Sequence, residues 1–96
     1  MHDRVLRRLR ALLEADSYVL TVHAVDELAE DDILAEEAVH AIMLGIITEA
    51  QTDRSTRERK YVIQGPDHTG RMLGVVVKLG ISGKVVVLTA YREEVP

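Results

Sequence analysis

Cysteine is absent from this chain, and so are phenylalanine and tryptophan. The first absence excludes disulfides, cysteine-ligated zinc and a thiol nucleophile together, and it fits a reducing compartment. The second leaves Tyr18, Tyr61 and Tyr91 as the only large aromatic side chains. The core therefore has to be aliphatic, and the stacking platforms of single-stranded RNA binders are missing. Long apolar runs are lacking too. The longest, AIMLGII at 41–47, is far short of the roughly 20 residues a spanning helix needs. The amino-terminal HDRVLRRLRALLEAD has no apolar centre of the kind a signal peptide carries. The expected location is the cytoplasm, with no membrane partner.

An excess of positive charge is also missing. The net charge is −4, divided as −6 over residues 1–48 (4 basic, 10 acidic) and +2 over residues 49–96 (8 basic, 6 acidic). A protein that lives on phosphate contacts is usually more basic than this. What is present is an apolar fraction of 47% in 96 residues. That is one domain's worth of chain, able to bury roughly two thirds of its unfolded surface.

The periodicity divides the chain in two. Val5, Leu6, Leu9, Leu12 and Leu13 fall on one arc of a helical wheel, with Arg4, Arg7, Arg8 and Arg10 opposite. This predicts an amphipathic helix over 3–15 with Asp3 as N-cap and a solvated arginine face. SYVLTV at 17–22 predicts a short strand or extended link. Thr21 is placed to cap a second helix over 22–31, whose apolar stripe is Val22, Val25, Leu28 and Ala29. A third helix is predicted over 35–44, stopped by Gly45. Beyond Gly45 the period becomes two, and strands are predicted over 46–50, 60–64, 72–79 and 84–91. GPDHTG and GISG supply turns for antiparallel hairpins. VVV and VVVL are apolar on both faces, so these strands are expected in the centre of the sheet. Helices able to cover one face leave the other as a cleft or a homodimer surface. The expected fold class is α+β, with two or three N-terminal helices packed on a four-stranded antiparallel sheet in a single domain, 1–96.

His23 is the first candidate for chemistry. It stands at a helix start, where exposed backbone N–H groups disfavour the imidazolium form, so a neutral imidazole there can serve as a general base. The alternative is a helix-entry histidine that bonds the chain locally. His23, Asp26, Glu27 and Glu30 share one helix face, but no second histidine four residues on completes a metal motif. No metal or cofactor is expected. His40 pairs with Glu36 by spacing as a surface residue, and His68 falls in a turn without a role. Thr89 and Tyr91, in LTAYRE, point to one face of the last strand. Tyr91 either offers a hydroxyl to a cleft or is a half-buried edge residue. Among the basic side chains of the second half, Lys60, Arg71, Lys78 and Arg92 are candidates to hold phosphate. The alternative is that they solubilise a sheet prone to aggregate.

LTVHAVDELAEDDI, a helix ending in LG-II, then YVIQG, GRMLGVVV and VVVLTAY together resemble, in order and spacing, the bacterial domain of unknown function 4258 family. The likeness covers about residues 20–92, with the helix at 1–16 preceding a family-like core at 17–92. This resemblance implies a fold like that of RelE and the barnase, EndoU and colicin ribonucleases. It implies a toxin of a toxin–antitoxin pair, acting on RNA without metal and held by an antitoxin. By carry-over, His23, Thr89 and Tyr91 are its catalytic positions. The departure lies at Glu27 and Asp31, where many members carry arginine. A lost transition-state donor is worth about 2.7–4 kcal/mol. The family analogy favours the ribonuclease. The acid balance, the few aromatics and the missing arginines favour a second expectation, a non-catalytic module of the same fold that binds a protein through its open sheet face or its acidic helix.

Overall fold

The computed structural model describes residues 2–93. Three helices, α1 (Asp3–Glu14), α2 (Val22–Glu30) and α3 (Ala35–Leu44), accompany five strands: β1 (Tyr18–Leu20), β2 (Ile46–Thr52), β3 (Arg59–Pro66), β4 (Met72–Leu79) and β5 (Val85–Arg92). No helix among the described residues is long and apolar enough to cross a membrane.

β2 to β5 form an antiparallel meander, and β1 joins β5 in parallel at the edge, giving the order β1-β5-β4-β3-β2. The sheet is thus five-stranded and mixed, correcting the expected four antiparallel strands. The added strand is the short one expected, as strand or extended link, over 17–22. What local sequence does not reveal is that Tyr18–Leu20 will pair with Val85–Val87, at the other end of the chain.

One sheet face carries the core. Tyr61, Ile63, Leu73, Val75, Val77, Val85, Val87 and Ala90 are buried there beneath Leu9 and Leu13 of α1 and Ala38, Ala41 and Ile42 of α3. Full burial of each large aliphatic side chain contributes about 1.5–3 kcal/mol. The other face carries Val62, Val76, Val86 and Leu88, each half-buried. The valine runs are therefore covered by helices on one side only.

α3 comes down onto β3 until the backbones touch. A Cβ at Gly65 would lie 1.9 Å from the Ala41 carbonyl oxygen, so only glycine fits. Arg10 fixes the far end of α3: Nη2 donates to the Gly45 carbonyl at 2.7 Å and Nε to that of Ile42 at 3.3 Å. A cation on the last carbonyls of a helix is favourable. Arg10 thus leaves the solvated arginine face to which the wheel assigned it. The N-cap of α1 is His2, with Asp3 inside the first turn.

α2 departs from its expected packing. Ala24 and Leu28 are buried, whereas Val22 and Val25 are exposed. The helix lies along the edge of β5 beyond the end of β1 rather than across the sheet face, so a different side of it points inward.

Candidate functional site

Where β1 ends, Thr21 turns the chain. Its N–H bonds the Val87 carbonyl, its hydroxyl donates to the Leu88 carbonyl at 3.1 Å, and the same oxygen accepts the Ala24 N–H as the N-cap of α2. β5 continues past this point with an edge that β1 no longer pairs. α2 supplies the missing partner through Glu27, whose Oε1 accepts from the Thr89 hydroxyl and from the Ala90 N–H at 3.2 Å. His23, one turn earlier, holds Nε2 3.4 Å from that oxygen.

Which way Thr89 and Tyr91 point is set by a bulge. Val76 opposes Thr89 and Val77 opposes Val87, leaving Leu88 as an extra residue in β5. Simple alternation from Val85 and Val87 would turn Thr89 and Tyr91 toward the helices. The bulge sends Ala90 inward and turns Thr89 and Tyr91 to the open face, the kind of re-aiming bulges provide. The Tyr91 ring then lies across Gly74, where a Cβ would come within 2.3 Å of it.

His23, Glu27 and Thr89 are therefore brought together, and Tyr91 follows two residues along the same face. Burial pushes the Tyr91 phenol above its ordinary value, and the carboxylates of Glu93, Glu49 and Glu27 push it further. At neutral pH it is a hydroxyl that donates and does not act as a base. His23 is open to solvent, its side chain 70% exposed. A neutral imidazole beside a carboxylate can pass a proton, but the ground around it is acidic. A phosphate about 7 Å from each carboxylate meets repulsion of about 1–2 kcal/mol per charge in a partly screened setting.

The four candidate phosphate ligands are divided between the two ends of the sheet. Arg92 gives Nη1 to Asp67 at 3.2 Å and Nε to the Asp31 carbonyl at 3.3 Å. Arg71 is exposed in the adjoining turn. Lys78 is paired with Glu58 at 2.9 Å and stands directly across from Lys60. Along β4 it is four residues, about 13 Å, from Gly74 beneath Tyr91. No hydrogen bond or ion pair among the described residues joins any of these four to His23, Glu27, Thr89 or Tyr91.

Two further clusters went unread in the sequence. His40, assigned to Glu36 by spacing, instead sets Nδ1 2.8 Å from the Pro66 carbonyl. A carbonyl only accepts, so that nitrogen carries the proton. The His68 ring packs against that of His40, centroids 4.0 Å apart and planes tilted by 38°, and His68 pairs with Glu37 at 2.7 Å. Both contacts cross from α3 to the β3–β4 turn, which spacing along one helix cannot show. The second cluster is the set of donors around Asp67; Asp followed by Thr two residues on, the signature of an Asx-turn, was its readable signal. Among the described residues no three His, Asp or Glu side chains converge as a metal's donor set.

Compared with known proteins, residues 20–92 match the family described as a domain of unknown function (DUF4258). Neither the curated proteins nor the solved structures give a match.

Proposed function

The chain belongs to the DUF4258 family, and from that premise we propose that it is a non-catalytic protein-interaction module on a RelE-like scaffold. The observation that carries this reading is the electrostatic setting of the acid–base cluster. His23 stands beside Glu27 and Tyr91 feels Glu93, Glu49 and Glu27, while Arg92 and Lys78 are paired with Asp67 and Glu58. Phosphoryl chemistry on RNA needs cations where charge develops. Here the position where the family resemblance implies an arginine holds Glu27, and Glu27 has structural work of its own on β5.

One observation favours the other reading, a toxin-like, metal-independent ribonuclease restrained by an antitoxin: His23 of α2 and Thr89 of β5 meet at Glu27, and Tyr91 lies two residues beyond Thr89 along β5. A single experiment separates the two. Purified protein is incubated with RNA in EDTA, with and without ribosomes, beside His23→Ala, and growth is followed on expression without a partner. The module reading expects no cleavage above the variant's level and no toxicity. Cleavage leaving 2′,3′-cyclic phosphate ends, reduced about 10²–10⁴-fold by His23→Ala, overturns it in favour of the ribonuclease.

A further inference from the structure

α2 has an apolar face that nothing among the described residues covers. Val22 is 79% exposed, Val25 50% and, just beyond the helix, Leu34 63%. Ala29 is exposed between them. Scattered aliphatic side chains on a surface are ordinary, but a contiguous set marks an interaction site. Beside this set runs a groove of about 320 Å³ lined only by aliphatic side chains, with Leu28 and Ile33 among them.

The charged side chains that α2 itself carries beside the groove are all acidic. Residues 11–53 contain eleven carboxylates and no lysine or arginine. On the wheel, Asp26 and Glu30 lie directly beside the Val22–Ala29 stripe. Asp31 and Asp32 follow at the end of the helix, and all four are exposed. α2 has no basic residue in its last turn. Carboxylates at a helix C-terminus oppose the helix dipole; Arg92, with Nε on the Asp31 carbonyl, relieves part of this. The carboxylates of Asp26, Glu30, Asp31 and Asp32 make no ion pair among the described residues and are left for a further cationic neighbour.

We propose that this face docks a basic amphipathic helix of a partner protein. The inference rests on the interaction-module reading and names its surface. Apolar side chains at i, i+3 or i+4, and i+7 of the partner fill the groove. Lysines or arginines on its flanks meet Asp26, Glu30, Asp31 and Asp32. A second copy of this chain does not meet the requirement. Its own basic amphipathic helix is α1, and Leu9 and Leu13 of α1 are already buried in the core.

The test uses the isotopically labelled full chain and a probe peptide of about 18 residues, five helical turns, built from leucine and lysine with one apolar stripe. A leucine–glutamate peptide of the same pattern is the control. The expected result is saturable NMR shift changes at Val22, Val25, Ala29 and Leu34, with a Kd on the order of 10 µM. Affinity is expected to weaken about tenfold between roughly 50 and 300 mM salt. Val25→Asp and Leu34→Ser, each at an exposed position, lower affinity about tenfold or more while keeping the folded spectrum. Equal binding of the glutamate peptide, shifts centred on Tyr91 or on His68, or indifference to both substitutions overturns the proposal. So does a homodimer in sedimentation that buries Val25. Failure here with RNA left intact removes this surface and leaves the module reading in place. RNA cleavage that depends on His23 removes that reading itself.

Discussion

Asp67 gathers four donors in the turn between β3 and β4. Oδ1 accepts the Thr69 hydroxyl at 2.7 Å and the N–H groups of Thr69 and Arg71 at 2.9 Å each, and Oδ2 accepts Arg92. The Thr69 hydroxyl above all holds the carboxyl well below the usual carboxylate range. A carboxyl whose pKa is lowered by folding contributes stability above its ordinary value, about 3.9. That stability is lost as pH falls through the folded-state value. Urea midpoints should therefore drop for the native chain as pH falls from about 4 toward 2. Asp67→Asn, which has nothing to protonate, should fall less steeply there while being less stable at pH 7. Asp53, lowered to about 2 by the Ser55 hydroxyl and the N–H groups of Thr56 and Ser55, remains in the variant and keeps part of the slope. Identical acid limbs for the two proteins would mean that Asp67 is not differentially ionised on folding. The turn itself was legible in GPDHTG. The engagement of Arg92 was not, because local turn chemistry says nothing of a guanidinium 25 residues away.

At the scale of elements, the signals that were legible are those that act within about ten residues. α3 has the limits its periodicity predicts, and Thr21 caps α2 as its position implies. Features that depend on a distant partner were not legible. The parallel seat of β1 and the edge-on packing of α2 belong to this class, and so does the bulge at Leu88 that aims Tyr91. Glu27 is the residue where this matters most. In sequence it is one more carboxylate on an acidic helix face; in the fold it closes the edge of β5. Glu27→Ala leaves the Ala90 N–H without its acceptor and should cost about 1–3 kcal/mol, read as a lower urea midpoint. Glu27→Gln keeps an acceptor oxygen and should recover most of that loss. Glu27→Arg, which from sequence alone looks like the repair of a nuclease site, is expected to destabilise at least as much as alanine, since it also supplies no acceptor. Equal midpoints for native, alanine and arginine forms would show that the edge is satisfied by solvent instead.

For the molecule as a whole, the family match and the folding unit have different limits. The match begins at residue 20, yet α1 and most of β1 precede it. Leu9 is fully buried and Leu13 nearly so; Tyr18 and Val19 pair with β5; Arg10 closes the end of α3. Replacing one buried leucine by alanine costs about 2–5 kcal/mol, set against a total stability of about 5–15 kcal/mol for a domain of this kind. Removing residues 1–19 takes away two such leucines and the α3 tie, and it bares the first half of the β5 edge, which then invites strand pairing between chains. The chain cut to 20–96 should therefore lose its cooperative urea transition, bind hydrophobic dye and aggregate. Leu9→Ala in the full chain should keep a single transition at a lower midpoint. The pair of measurements is informative in both directions. If the truncated chain melts cooperatively within about 1 kcal/mol of the native protein, the 20–92 segment is a domain in its own right, and α1 is an appendage whose burial contributes little to the stability of the fold.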